Sequence, residues 1–287
     1  MKAALSGSGG FIGRHIAASL RESGYEVVPL PRSFLVEENR GLRDLLKDAQ
    51  VVIHLSGAPV IGRWTRRYRQ EVYDSRILTT RRLVEAMRSL EQKPGVFICA
   101  SAVGIYPSEG VFTEEGTRIA EGFLAGVVRD WEQEALQASV FTRTLLFRFG
   151  MVLGKGGGAL KTMALPFRLG LGGRIGSGRQ MVSWIHVEDV CRAVRFAIGN
   201  KSLFGAVNLT APSPVSNREF TRVLAKTLRR PALMPVPGFA LKAIYGKAAS
   251  VVTQGQTATP GRLQQAGFQF RFPHLEEALA EVFVKTG

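Results

Sequence analysis

Lys2-Ala3-Ala4-Leu5-Ser6-Gly7-Ser8-Gly9-Gly10-Phe11-Ile12-Gly13 opens the chain, and its reading decides the fold. Lys2 to Ser6 is a short apolar strand. Phe11 to Glu22 has helical periodicity, with Ile12, Ile16 and Leu20 on one face. The turn between them carries glycines at 7, 10 and 13. Gly7 permits the tight exit from the strand. Gly10 leaves no β-carbon in the way of a pyrophosphate, and Gly13 lets the new helix pack closely on the sheet. The helix N-terminus offers unpaired N–H groups and the positive end of its dipole to phosphates. A glycine turn alone is weak evidence. Here an apolar strand precedes it, an amphipathic helix follows it and a second strand comes next, which is the setting of a dinucleotide site.

The same alternation continues. Tyr25 to Leu30 reads as a second strand, Leu42 to Lys47 as a short helix and Val51 to Leu55 as a fully apolar third strand, suited to a parallel sheet covered on both faces. Residues 66–90 read as a long helix, Val96 to Ala100 as a strand, Phe123 to Gln137 as a helix and Phe141 to Phe149 as a fifth strand. The pattern predicts an α/β fold, a Rossmann-type doubly wound parallel sheet. The texture changes at Gly154. Gly154-Lys-Gly-Gly-Gly158 reads as a flexible loop, and the glycines at 170–178 suggest an irregular cleft lining. Met181 to Ile185 reads as a strand and Val187 to Ile198 as a helix. Val207 to Leu209 is a further strand, and Ser216 with Glu219 fits a capping box opening a helix before a Pro-punctuated tail. Residues 1–153 are therefore expected to form the dinucleotide domain, with 181–200 returning to it. Residues 154–180 and 201–287 are expected to form a smaller C-terminal substrate lobe.

The end of the second strand reads Val28-Pro29-Leu30-Pro31-Arg32-Ser33. An NAD site usually places an acid there for the adenosine ribose. Arg32 stands there instead, and a guanidinium can pair with a 2′-phosphate through two parallel hydrogen bonds. Glu37 and Glu38 come several residues later and read as solvated. The cofactor expected from these residues is NADP(H).

Composition bounds the alternatives. The 287 residues are 45% hydrophobic, with 38 Lys and Arg against 23 Asp and Glu, a formal net charge of +15. Such an excess raises nucleic-acid binding as a third reading. The basic residues are scattered rather than tiled on one helix face, and a cleft for phosphate-bearing small molecules would also be basic. The densest group is Arg63, Arg66, Arg67 and Arg69, followed by Arg76, Arg81 and Arg82. No apolar run approaches the length of a membrane span. The glycine turn follows Met1 so closely that no signal peptide is expected. Cys99 and Cys191 sit in apolar contexts without metal-ligand spacing, so no metal and a reducing, cytoplasmic compartment are expected.

Several stretches carry a resemblance. Gly7-x-x-Gly10-x-x-Gly13, His54-Leu55-Ser56-Gly57-Ala58 and Trp184-Ile185-His186-Val187-Glu188-Asp189 resemble extended short-chain dehydrogenase/reductases. Arg63-Trp64, Asp74-Ser75-Arg76, Ser101-Ala102-Val103-Gly104-Ile105-Tyr106, Val152-Leu153-Gly154 and Gly178-Arg179-Gln180 resemble one atypical branch, the nucleoside-diphosphate-sugar epimerase-like, or cell-division-inhibitor-like, family. The resemblance covers nearly the whole chain. It implies NADP(H) contacts on Gly7, Gly10, Phe11, Ile12 and Gly13, on Pro31 and Arg32, on Leu55 and Ser56, on Glu71 and Arg76 and on Val152. It also implies a small-molecule substrate.

The chemistry departs from the common pattern. Short-chain dehydrogenases of the usual kind carry a Tyr and a Lys four residues apart, with a Ser or Thr. The helix that should carry the pair, Phe123 to Gln137, contains neither Tyr nor Lys. Ala102 falls where the serine belongs, which leaves Ser101 and Tyr106 as the catalytic candidates. Ser101 also reads as a strand-end serine, and Tyr106 as an aromatic packed under the loop. Sugar-nucleotide epimerases carry an arginine shortly before the Ile-His-Val segment, but here Gln180, Met181, Val182 and Ser183 occupy the approach. Arg179, Gln180 and Trp184 are the substrate-cleft candidates. His186 reads as structural, and Glu188 and Asp189 as capping or charging the next helix. Two functions follow: an oxidoreductase or epimerase-like enzyme without the Tyr–Lys pair, or a non-catalytic NADP(H)-binding regulatory or interaction protein.

Overall fold

A computed structural model describes residues 1–36, 41–116 and 118–283. Glu37 and Glu38 lie outside the described residues. The first half follows the apolar runs. Strand β1 (Lys2–Ser6) feeds helix α1 (Phe11–Glu22), and β2 (Glu26–Leu30) is followed by the short helices α2 (Arg32–Val36) and α3 (Gly41–Leu46). Then come β3 (Val51–His54), α4 (Arg66–Ser89), β4 (Val96–Ala102), the two-residue β5 (Val111–Phe112), α5 (Phe123–Leu136) and β6 (Arg143–Phe149). The second half contains β7 (Met151–Leu153), α6 (Gly158–Arg168), β8 (Met181–Val182), β9 (Trp184–His186) and α7 (Val187–Gly199). It continues through β10 (Gly205–Leu209), β11 (Val215–Ser216), α8 (Asn217–Leu228), α9 (Gly238–Tyr245), α10 (Ser250–Thr253), β12 (Thr257–Ala258), α11 (Gly261–Gln265) and α12 (Leu275–Phe283).

The main sheet has the order β10-β6-β4-β3-β1-β2, and every pairing in it is parallel. Side chains alternate between its faces with the strand period of two. Ala3, Leu5, Val51, Ile53, Val96, Ile98, Leu145 and Phe147 join α1 and α7 in one core. Ala4, Val52, Phe97, Cys99 and Leu146 join α4 and α5 in the other. Both faces are covered, which is why these strands read as continuous apolar runs. The chain reverses its direction of travel between β1 and β3. The crevice outside their carboxyl ends is the place where open α/β sheets bind ligands.

The expected lobe boundary shifts in the structure. Gly205–Leu209 pairs with Leu145–Phe149 as the edge strand of the main sheet, and Leu203, Leu263 and Phe268 enter the first core. These residues belong with the sheet rather than with a separate lobe. A third core holds Leu153, Leu160, Phe167, Trp184, Phe220, Leu224, Leu275 and Leu279, gathered from β7, α6, β9, α8 and α12.

The expected strand Met181 to Ile185 is two strands. Met181–Val182 pairs antiparallel with Val215–Ser216, whereas Trp184–His186 pairs with Met151–Leu153. Ser183 makes the break. Its hydroxyl donates to the Gln256 carbonyl at 2.8 Å and accepts from the Ala258 N–H at 2.9 Å. Ser216 caps α8, accepting from the Glu219 N–H at 3.1 Å. The reciprocal half of the box is absent, because the Glu219 carboxylate pairs with Arg222.

Candidate functional site

The glycine turn is tightly built. Gly7 has φ +72°, a conformation that favours glycine. The Gly10 N–H donates to the Gly7 carbonyl at 3.0 Å, closing the turn, and Gly10 is the N-cap of α1. No side chain caps that terminus and no acid stands in its first turn. A β-carbon on Gly13 would overlap the Gly7 carbonyl oxygen and reach 2.9 Å from the Ser8 Cα. Gly13 thus lets α1 pack on the turn itself, not only on the sheet.

The turn forms one wall of a cleft of about 360 Å³. Gly7, Gly10, Pro31, Arg32, Leu55 and Ser56 meet there, together with Ser8, Gly9, Leu30, Gly57, Ser75 and Thr79. Ser75 and Thr79 are lining residues that the reading of the sequence left unassigned. Their signal is local, two small polar residues one helical turn apart on the buried side of α4. Arg32 is exposed at the start of α2 and makes no ion pair or hydrogen bond among the described residues.

Behind the lining, Arg76 is largely buried without a carboxylate partner. It donates to the Val72 and Ala58 carbonyls at 3.0 Å each and lies 5.2 Å from the Trp131 ring centre. Burial lowers its pKa to about 10. Next to it, His54 is fully buried between Ser6 Oγ at 2.7 Å and Thr79 Oγ1 at 3.4 Å. Burial, reinforced by Arg76, lowers its pKa to about 3, so the ring is neutral. Glu71 is exposed on α4 and Val152 is buried in the first core, so neither lines the cleft.

Phe11 and Ile12 are half-buried at the head of α1. The run Gly154 to Gly158, expected to be a flexible loop, is fitted around the Phe11 ring. A β-carbon at Gly154 or Gly158 would stand 3.0 or 3.1 Å from ring atoms, and one at Gly157 would overlap them. Arg14 donates to the Gly156 carbonyl at 2.9 Å, and Lys155 pairs with Glu281 at 3.1 Å. The Phe11 ring excludes a side chain at Gly157, Val187 does so at Gly154, and Gly156 and Gly158 adopt positive φ.

The catalytic candidates lie inside the protein. Ser101 donates to Glu132 Oε1 at 2.5 Å and is 4% exposed. Tyr106 is 1% exposed and stacks on Phe112. Its hydroxyl accepts from Arg148 at 2.7 Å and donates to Asn208 Oδ1 at 2.9 Å. Burial outweighs Arg148 and raises its pKa. Arg148 also holds Glu132 through two bonds of 2.7 Å. Neither hydroxyl lines that cleft, and both belong to an internal hydrogen-bonded network.

One of the three substrate candidates, Trp184, is corrected as well, whereas Gln180 is half-buried. Trp184 is fully buried in the third core, its Nε1 donating to the Ser213 carbonyl at 3.1 Å. The Gln180 amide is spent on the Ile175 carbonyl at 3.0 Å. Arg179 is exposed. His186 caps α7, accepting from the Glu188 N–H, and its other nitrogen lies 3.0 Å from Glu281. Asp189 stands in the first turn of that helix, as Glu188 does, without capping it. It is buried and accepts from the Arg271 and Phe272 N–H groups at 2.7 and 2.9 Å, tying down the C-terminal segment.

Among the described residues no group of three or more His, Cys, Asp and Glu stands together to hold a metal ion, and no helix is long and apolar enough to cross a membrane.

Comparison with known proteins agrees with this geometry. The profile of the NAD dependent epimerase/dehydratase family matches residues 3–209. The chain belongs to this family. A domain of unknown function, DUF1731, matches residues 236–282 of the same epimerase-family chain. The Arabidopsis thaliana epimerase family protein SDR39U1 homolog, chloroplastic, is 36% identical over 98% of this chain and 86% of its own length. Epimerase family protein YfhF of Bacillus subtilis is 36% identical over 98% of each chain. The human epimerase family protein SDR39U1 (isoform 2), solved with NADPH, superposes with a TM-score of 0.88 at 32% identity, covering 98% of this chain and 99% of that one. The fold is the NAD(P)-binding fold of epimerase-type short-chain dehydrogenase/reductases.

Proposed function

We propose that this epimerase-family protein binds NADP(H) in the cleft beside the glycine turn and acts as an oxidoreductase on a small carbonyl or hydroxyl compound without a Tyr–Lys pair. The observation that carries the reading is Arg32, a cation at the tip of β2 on the rim of the cleft, with no carboxylate beside it among the described residues. The residues fit the coenzyme. The turn has no β-carbons where a pyrophosphate would approach, and the α1 terminus carries no competing side-chain cap. Arg32 would take the 2′-phosphate in bidentate fashion. The Ser56 segment would border the coenzyme from the end of β3. When bound, the coenzyme supplies hydride chemistry, and the protein positions it. The human relative solved with NADPH supports the same choice.

Arg32→Ala tests the reading. It should weaken NADPH binding by about tenfold or more, as expected for loss of a charge-assisted bidentate contact, and change NADH binding by less than twofold. Equal losses for the two coenzymes would contradict the placement of the 2′-phosphate.

A second reading, a non-catalytic NADP(H)-binding regulator, is favoured by one observation. Ser101 and Tyr106 are fully engaged with Glu132, Arg148 and Asn208. NADPH oxidation by the purified protein with aldehydes, quinones or sugar nucleotides would decide for the enzyme. Coenzyme binding without turnover across that panel would favour the regulator.

A further inference from the structure

The positive charge is concentrated in the second half of the chain. Residues 151–187 hold five Lys and Arg, residues 220–275 hold eight, and neither stretch contains an acid. Together they account for most of the net charge of +15, and the rest of the chain is nearly balanced. Some of these cations are spent inside the protein. Lys155 pairs with Glu281, Arg271 pairs with Glu188, and Arg262 donates to the Phe204 and Ala206 carbonyls. Lys161, Arg168, Lys242 and Lys247 are exposed and form no ion pair among the described residues.

The same stretches expose large apolar side chains. Helix α9, Gly-Phe-Ala-Leu-Lys-Ala-Ile-Tyr, has no buried residue. Phe239 on it is 76% exposed, and Leu233 just before it is 80% exposed. Leu165, Leu169 and Leu171 are exposed around the end of α6. Main-chain bonds join the two regions. The Met234 N–H donates to the Gly172 carbonyl at 3.2 Å, the Val236 N–H to the Arg174 carbonyl at 2.8 Å, and the Gly176 N–H to the Val236 carbonyl at 2.9 Å. A β-carbon on Gly173 would overlap the Met234 carbonyl, so the segments meet backbone to backbone. Lys161, Leu165 and Arg168 share one face of α6 by their spacing, as Phe239 and Lys242 do on α9. An eight-residue helix gains little stability by itself in water, and apolar groups exposed in such concentration mark a surface that meets something else.

Between these segments and α8 lies an open cavity of about 560 Å³. Arg174, Arg218 and Arg222 line it beside Ala232, Leu233 and Pro235. Glu219 pairs with Arg222, and Arg218 forms no ion pair among the described residues. None of these residues lines the coenzyme cleft.

We propose that α9, with the adjoining segments 165–174 and 232–236, binds the surface of an anionic lipid bilayer. Binding at the surface needs no spanning helix. Leu233 and Phe239 enter the boundary between headgroups and acyl chains, while the Lys and Arg heads stay at the level of the lipid phosphates. A nucleic acid would answer the cations but leave the Leu, Met and Ile side chains in water. A second copy would set the same acid-free stretches against each other, and like charges repel. A protein partner needs pockets shaped for the protruding side chains, whereas a fluid bilayer closes around them. The proposal does not depend on the coenzyme reading.

The test is flotation of the full chain with phosphatidylcholine vesicles, with and without about 30% phosphatidylglycerol. The expected result is partitioning onto the anionic vesicles about tenfold or more stronger than onto the neutral ones, falling as salt is added. L233S/F239S and K242E/K247E should each lower it by about tenfold or more. All four positions are exposed, so both variants should melt like the wild type, and the loss cannot be assigned to unfolding. Phe239→Trp should gain a blue-shifted emission on anionic vesicles that brominated lipid quenches. Equal partitioning onto neutral and anionic vesicles, no partitioning onto either, L233S/F239S partitioning like the wild type, or an unshifted F239W emission would overturn the proposal. So would a wild-type dimer that L233S/F239S dissolves, which would assign the face to a second copy, or DNA binding that the same variant abolishes.

Discussion

Glu132→Ala should be the most damaging single substitution in the protein, costing about 3–5 kcal/mol of stability, because it leaves a buried guanidinium without its counter-charge. The side chains of Glu132 and Arg148 are 9% and 11% exposed and meet through two bonds of 2.7 Å. Burial works against the Arg148 cation, and its hydrogen bonds to the Glu132 carboxylate more than offset it, raising its pKa. The pair also orders its neighbours. Ser101 donates to Glu132, and Tyr106 passes the network to Asn208, whose N–H donates to Glu114 at 2.8 Å. Denaturant unfolding measures the loss. Glu132→Ala combined with Arg148→Met should recover most of it, since removing both charges leaves no orphan. A single-variant loss below about 1 kcal/mol, the range of an exposed pair, would show that the network does not hold the ends of β4, β6 and β10 together.

Gly13→Ala should abolish useful coenzyme binding while Gly9→Ala leaves the fold intact. The added carbon at Gly13 meets only main chain, the Gly7 carbonyl and the Ser8 Cα. No flexible side chain can move aside, so the turn or the helix must shift. Overpacking of this kind costs about 1–3 kcal/mol, and each 1.4 kcal/mol taken from binding is about a tenfold change in affinity. A β-carbon on Gly9 meets nothing within 4 Å. The paired measurement is thermal melting with NADPH titration. Equal behaviour of the two variants would mean that close packing of α1 on the turn does not shape the site.

Much of this was legible in the residues. Strands β1, β3 and β4 are largely apolar runs because both faces of a parallel sheet are covered, and Gly7, Gly10 and Gly13 sit between a strand and an amphipathic helix. Helix α12 also carried a signal, with Leu275, Ala278, Leu279 and Val282 on one buried face, but the surrounding prolines and glycines made the tail read as irregular. The gaps arise where the deciding contact is remote in sequence. Ser183 splits a strand only because residues 256 and 258 arrive beside it. Trp184 and Tyr106 read as candidate ligand contacts from their motifs, yet burial is a property of the assembled core, which local sequence does not report. The glycines at 154–158 suggested mobility, whereas the ring they accommodate lies more than 140 positions earlier. Ser75 and Thr79 enter the site because α4 passes the crevice, a consequence of topology rather than of motif.

These observations share one physical claim, that a phosphate-bearing coenzyme is held by bare main chain at residues 7–13 and by the guanidinium of Arg32. Calorimetric titration of NADPH and NADH into the purified wild-type chain measures it most directly. The expected result is saturable binding of NADPH at least tenfold tighter than that of NADH. Heat from neither coenzyme in well-folded protein, or tighter binding of NADH, would contradict it.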